Sequence, residues 1–151
     1  MDPKDTRLRK ADEGFADACE QVNRLLARVE EQAIELHPGR FVYAPISSKD
    51  IPEIGETSDE VLALAKLEGR WRLAFGCGLF GDPPFGDESS WRWKPIAEAA
   101  MKDRLAAARV APQFLEALVE AREEQTQEAQ SIAANLREAL DAFENAEGSD
   151  E

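Results

Sequence analysis

Apolar residues at Phe15, Cys19, Val22, Leu26, Val29, Ala33 and Leu36 alternate by four and three, the period of a helix that buries one seam. A pleated strand repeats every two residues, so this pattern commits the first quarter of the chain to a long helix. Asp2-Pro3 offers an N-cap oxygen followed by a proline whose missing N–H costs nothing in a first turn, and His37-Pro38-Gly39 stops the run. The spacing predicts a helix over 3–37, about 50 Å long at 1.5 Å per residue, which overhangs a small domain.

A second stripe, Leu115, Leu118, Ala129, Ile132, Leu136, Leu140 and Phe143, keeps near-heptad spacing but is interrupted by Arg122 and Gln125. Pro112 separates it from an Ala-rich stretch, either as a kink or as the first residue of a new helix, so helices are expected over 96–111 and 112–145, with 146–151 a disordered tail. The two stripes can pack on each other as an antiparallel helical hairpin, or on a second copy.

Between the helices, Phe41-Val42-Tyr43-Ala44 is β-prone and predicts a strand over 40–46. Thr57 to Phe75 is ambiguous. Thr57 with Glu60 has the form of a capping box, and Val61 to Leu67 is rich in helix formers. A two-residue turn at Glu68-Gly69 argues the other way, because it pairs Leu62 with Phe75, Leu64 with Leu73 and Lys66 with Trp71 on one side of a ribbon. The hairpin over 57–77 is the favoured reading, with Ala63, Ala65, Ala74, Gly76, Arg70 and Arg72 on a solvent or close-packing face. A short strand over 91–94 then adds Trp91 and Trp93 to the apolar side. The expected fold class is α+β, a single domain over 1–151: a long N-terminal helix, a small antiparallel sheet of three or four strands, an Ala-rich helix, and a long acidic C-terminal helix packing with the first.

Charge narrows the function. The chain of 151 residues has 31 acidic against 18 basic side chains and a net charge of −13. The balance is −3 over residues 1–37, −2 over 38–95 and −8 over 96–151. Direct nucleic-acid binding needs a basic stripe, and a concentrated negative field instead attracts basic partners. No apolar run approaches the roughly 18 residues of a membrane span, and the two cysteines make no disulfide framework, so reduced thiols and a cytoplasmic location are expected.

The motifs that suggest chemistry fail on context. Gly76-Cys77-Gly78-Leu79-Phe80-Gly81 matches the dinucleotide-loop pattern, but Asp82-Pro83-Pro84 stands where that loop opens a helix. Cys77 needs a base to act as a nucleophile, and the sole histidine, His37, reads as a helix-stop residue. The acidic groups Glu53, Glu56, Asp59, Glu60 and Asp82, Asp87, Glu88 lack calcium-loop spacing. No catalytic residue, metal or cofactor is assigned. Across the loop over 78–90 and the strand after it, Phe80, Phe85, Trp91 and Trp93 surround Pro83-Pro84, a composition that either lids the sheet or anchors a partner.

The expectation is a non-enzymatic protein-interaction module. Its gripping residues would be Phe80, Phe85, Asp87 and Trp91 in the aromatic segment and Glu116, Glu120, Glu123, Glu124 and Glu128 on the last helix. In its sharper form it is an acidic inhibitor, a nucleic-acid mimic that fills the basic surface of a protein partner. The alternatives are a homodimeric helical scaffold in which Leu26, Val29, Ile132 and Leu136 face another copy, and a small enzyme or ligand-binding domain built on Cys77 or on Asp82, Asp87 and Glu88.

Overall fold

In a computed structural model, which describes residues 2–80 and 91–149, the chain runs as α1 (Pro3–Glu35), β1 (Tyr43–Ile51), β2 (Glu56–Leu67), β3 (Arg70–Phe80), β4 (Arg92–Pro95) and α2 (Met101–Ser149). The four strands form an antiparallel meander in chain order. Both helices cover one face of it. α1 starts as its sequence directs, with the Asp2 carboxylate accepting the Lys4 N–H at 3.1 Å.

The hairpin prevails over helix propensity. Leu62 pairs with Phe75, Leu64 with Leu73 and Lys66 with Trp71, the register that the two-residue turn requires. Glu68 and Gly69 both have positive φ, 51° and 78°, as a type I′ turn demands. Leu62, Leu64 and Leu73 join Leu26 and Ala33 of α1 and Ala107, Ala111, Phe114 and Leu118 of α2 in the core.

Several element boundaries differ from expectation. β1 runs on to Ile51 through Pro45, because it is an edge strand and the register shifts by one residue between Pro45 and Ser47. The expected helix over 96–111 begins at Met101 instead. Ile96–Glu98 makes a single 3-10 turn and Ala99 is extended, an arrangement that buries both Ile96 and Ala99. Pro112 does not divide the C-terminal helices: α2 passes through it and continues to Ser149, so the separate helix over 112–145 and most of the tail over 146–151 merge into one element. A proline in a helix interior costs about 3 kcal/mol. Here Ala111, Phe114, Leu118 and Ala121, buried on both sides of that turn, outweigh it.

The helices do pack together, but in parallel rather than as an antiparallel hairpin. Arg104 donates to Asn23 near the start of the contact and Gln125 donates to the Pro38 carbonyl near its end, so residue numbers rise together along both helices. The sheet returns the chain to the middle of α1, where Ile96 and Leu26 line the same hollow. Consequently the unpaired halves leave the body at opposite ends. Residues 3–18 of α1 are exposed apart from half-buried Thr6, and every residue of α2 from 126 to 148 is exposed. At 1.5 Å per residue these overhangs measure about 24 Å and about 35 Å.

Candidate interaction surface

The far face of the sheet is closed by aromatics. β4 pairs Trp93 with Gly76. That register puts the indole on the face of Ala63 and Ala74, both fully buried, rather than on the apolar side expected from the hairpin. Trp93 stacks on Trp91 at 5.7 Å and meets Phe41 edge-on at 5.9 Å, and Phe41 in turn stacks on Tyr43. Trp91 is buried in this group, so its role as a partner-gripping residue gives way to a role in the second, smaller core. Around the hairpin end, Phe41, Lys66, Trp71, Trp91 and Trp93 edge an open cleft of about 410 Å³.

Gly76 and Gly78 of the dinucleotide-like pattern lie inside β3, which continues to Phe80, and Gly81 lies outside the described residues. Gly76 is there because a Cβ would stand 2.4 Å from the Trp93 ring. Phe80 is the last residue of β3; Phe85 and Asp87, with Asp82 and Glu88, lie outside the described residues. The Cys77–His37 pairing does not form. His37 touches Trp71, six residues before Cys77 on β3, which is about 20 Å along a strand.

His37 has a structural post instead. Its Nδ1 accepts the Gly39 N–H at 2.9 Å, and its ring meets Trp71 edge-on at 4.1 Å. Burial, and secondarily the Arg122 guanidinium, hold its pKa below the ordinary value of 6.5. A group harder to protonate folded than unfolded withdraws stability as pH falls through the unfolded pKa. Stability attributable to His37 is therefore complete above about pH 6.5 and declines below it. His37→Asn should flatten that part of a plot of unfolding midpoint against pH; two parallel curves would refute the assignment.

The acidic cluster of Glu53, Glu56, Asp59 and Glu60 lies in the turn after β1 and on β2. Asp59 is buried and accepts the Thr57 hydroxyl at 2.9 Å, while Glu53 stands in the exposed turn before β2. Among the described residues, no three His, Cys, Asp or Glu side chains gather as a metal-binding group. Glu30 has another task. It reaches from α1 to accept the Leu73 N–H at 2.8 Å and pairs with Arg72 at 3.2 Å, capping β3 just short of where β4 begins to pair.

On α2, Glu116, Glu120, Glu123, Glu124 and Glu128 are all exposed. Glu124 pairs with Arg40 at 2.6 Å, and Gln125 bonds the Pro38 carbonyl, so the polar interruption of the stripe ties α2 to the loop after α1. Past that tie the helix stands alone, with Ile132, Leu136, Leu140 and Phe143 between 52% and 62% exposed. Of the residues expected to face another copy, Leu26 belongs to the chain's own core, whereas Ile132 and Leu136 are open to solvent. Sequence reading passed over Leu8 and Leu25, 64% and 55% exposed. Counting back in sevens from Val29 and Val22 gives Phe15 and Leu8, a signal that was available.

No family model matches this chain. No curated protein or solved structure matches it either. Among the described residues, no helix is long and apolar enough to cross a membrane. Function has to be read from the surface of the molecule.

Proposed function

We propose that this chain is a non-enzymatic protein-interaction module whose gripping element is the acidic face of α2 from Glu116 to the end of the helix. One observation carries the reading: residues 126–148 form a helix outside the body, with Ile132, Leu136, Leu140 and Phe143 presented to water. Helices in proteins owe most of their stability to packing an amphipathic face, and an exposed apolar stripe rimmed by charge marks a surface for another chain. The acidic residues around it, from Glu116 to Glu147, select a partner with a basic surface. The inhibitor form of this reading, a helix occupying a basic cleft, uses the same residues.

The test is affinity capture from the native host with wild-type protein and with Glu120→Lys/Glu123→Lys/Glu128→Lys. A basic protein retained by the wild type, released by raised salt and lost with the charge-reversed chain is the expected outcome. Equal capture by both chains, insensitive to salt, would reject an acidic grip.

A further inference from the structure

We propose that the chain closes on a second copy of itself, the α2 overhang of each copy lying antiparallel against the α1 overhang of the other, with the outer groove between α1 and α2 at the centre. This deepens the reading above, on which it rests, by naming the occupant of the α2 stripe. Three observations converge on it.

The first is continuity of apolar surface. Val22, Leu25 and Val29 of α1 and Ala108, Pro112 and Leu115 of α2 line a groove on the side of the helices away from the sheet. Along α1, the three-four spacing that places Val22, Leu25 and Val29 continues backward through Ala18, Phe15, Ala11 and Leu8. Along α2, steps of seven from Leu115 reach Ala129, Leu136 and Phe143 after passing Arg122. The groove and both overhangs therefore present one seam. The drift of about 20° per heptad is what a left-handed supercoil absorbs.

The second is charge. The first turns of α1 carry Lys4, Arg7, Arg9 and Lys10, all exposed, against Asp5; Asp12, Glu13 and Asp17 follow, so the basic charge is confined to the tip of the overhang. The α2 overhang carries Glu128 and Glu138 against Arg137 within reach of that tip, and Asp141, Glu144 and Glu147 beyond it. Within one chain these opposite charges cannot meet, because the parallel helices send the two overhangs out of opposite ends of the body. Turning a second copy over, about a two-fold axis through the groove, brings them together twice. At 1.5 Å per residue, about residues 3–15 of one copy then lie along about residues 126–138 of the other, so Leu8 approaches Ile132 and Lys4 approaches Glu138. Pairing two α2 overhangs instead would set acid against acid.

The third is area. Leu8, Phe15, Leu25, Val119, Ile132 and Leu136 are each between 40% and 64% exposed. At roughly 100 Å² apiece, two copies offer about 1,200 Å² of apolar surface, the scale of a stable interface. The contact is isologous, so it closes at two copies.

Light scattering on the full chain at about 100 μM, far above a micromolar Kd, should give twice the chain mass. Ile132→Glu/Leu136→Glu should return it to one chain mass with the near-ultraviolet signal of the tryptophans unchanged, since both residues are outside the folded body. Lys4→Glu/Arg7→Glu should weaken association about tenfold or more. Adding Glu128→Lys/Glu138→Lys to that same chain should restore it, because each α1 overhang again meets opposite charge. A wild-type monomer, or a dimer indifferent to Ile132→Glu/Leu136→Glu, overturns the proposal. So does a dimer that responds to those changes but ignores the α1 charges, and so does a mass that keeps growing with concentration. A monomer that still captures a basic protein through Glu120, Glu123 and Glu128 would end the self-association and leave the acidic grip standing.

Discussion

Phe114→Ala should lower the unfolding free energy by about 3–5 kcal/mol, the range for emptying a buried aromatic position. Phe114 is fully buried and is the largest such side chain in the core, which also holds Leu26, Ala33, Leu62, Leu64 and Leu73. Its place in α2 comes two residues, about half a turn, after Pro112. Removing it therefore withdraws the packing that holds the helix through the proline, and opens a cavity that small neighbours such as Ala33, Ala107 and Ala111 are ill suited to fill. Folded domains commonly hold only 5–15 kcal/mol in reserve, so the expected observation is a large drop in the urea midpoint with partial melting of helix at ambient temperature. Phe114→Leu, which keeps much of the volume, should recover more than half of the loss. A Phe114→Ala change costing under about 1 kcal/mol would mean that α2 is not docked on the sheet through this residue.

Gly76→Ala is the second large effect, and its sign runs against intuition for a strand interior, where alanine ordinarily improves on glycine. The added Cβ would stand 2.4 Å from one Trp93 ring carbon and 2.6 Å and 2.8 Å from two more. Trp93 cannot slide freely, since Trp91 stacks on it and Phe41 meets it edge-on. Overpacking of this kind costs about 1–3 kcal/mol, and here it should also displace the indole, visible as a changed near-ultraviolet spectrum and tryptophan emission. The decisive control is the double change. Gly76→Ala/Trp93→Ala should be no less stable than Trp93→Ala alone, because the methyl group then enters vacated space. Additive losses would show that the glycine serves the backbone of β3 and not the ring.

The two effects correspond to the two faces of one sheet, and they explain why the surface outside it is available for binding. Leucines and Phe114 close the helical face, and four aromatics close the other. With the sheet covered on both sides, the large apolar side chains that remain in water among the described residues lie mostly on the helices: Leu8, Phe15, Leu25 and Ile34 on α1, and Val119, Ile132, Leu136, Leu140 and Phe143 on α2. The proposed binding through the helices would leave both cores undisturbed.

What could be read directly from residue order was local. The α1 seam, its Asp2 cap, the Glu68-Gly69 turn and the pairing of Leu62, Leu64 and Lys66 with Phe75, Leu73 and Trp71 each depend on a period or a turn a few residues long. Exposure of the α2 glutamates followed from charge. The rest depended on contacts between residues far apart in the chain. Pro112 is tolerated because of side chains buried on a sheet some forty residues earlier; Gly76 is required by a ring seventeen residues later; and Gln125, which looks like a flaw in a heptad, holds a carbonyl of the loop after α1. The relative direction of the helices is the clearest case. Two amphipathic stripes pack equally well parallel or antiparallel as far as their own periodicity is concerned, and only the path of four intervening strands selects between them. That path made the helices parallel, and so drove the basic first turns of α1 and the acidic end of α2 out of opposite ends of the molecule.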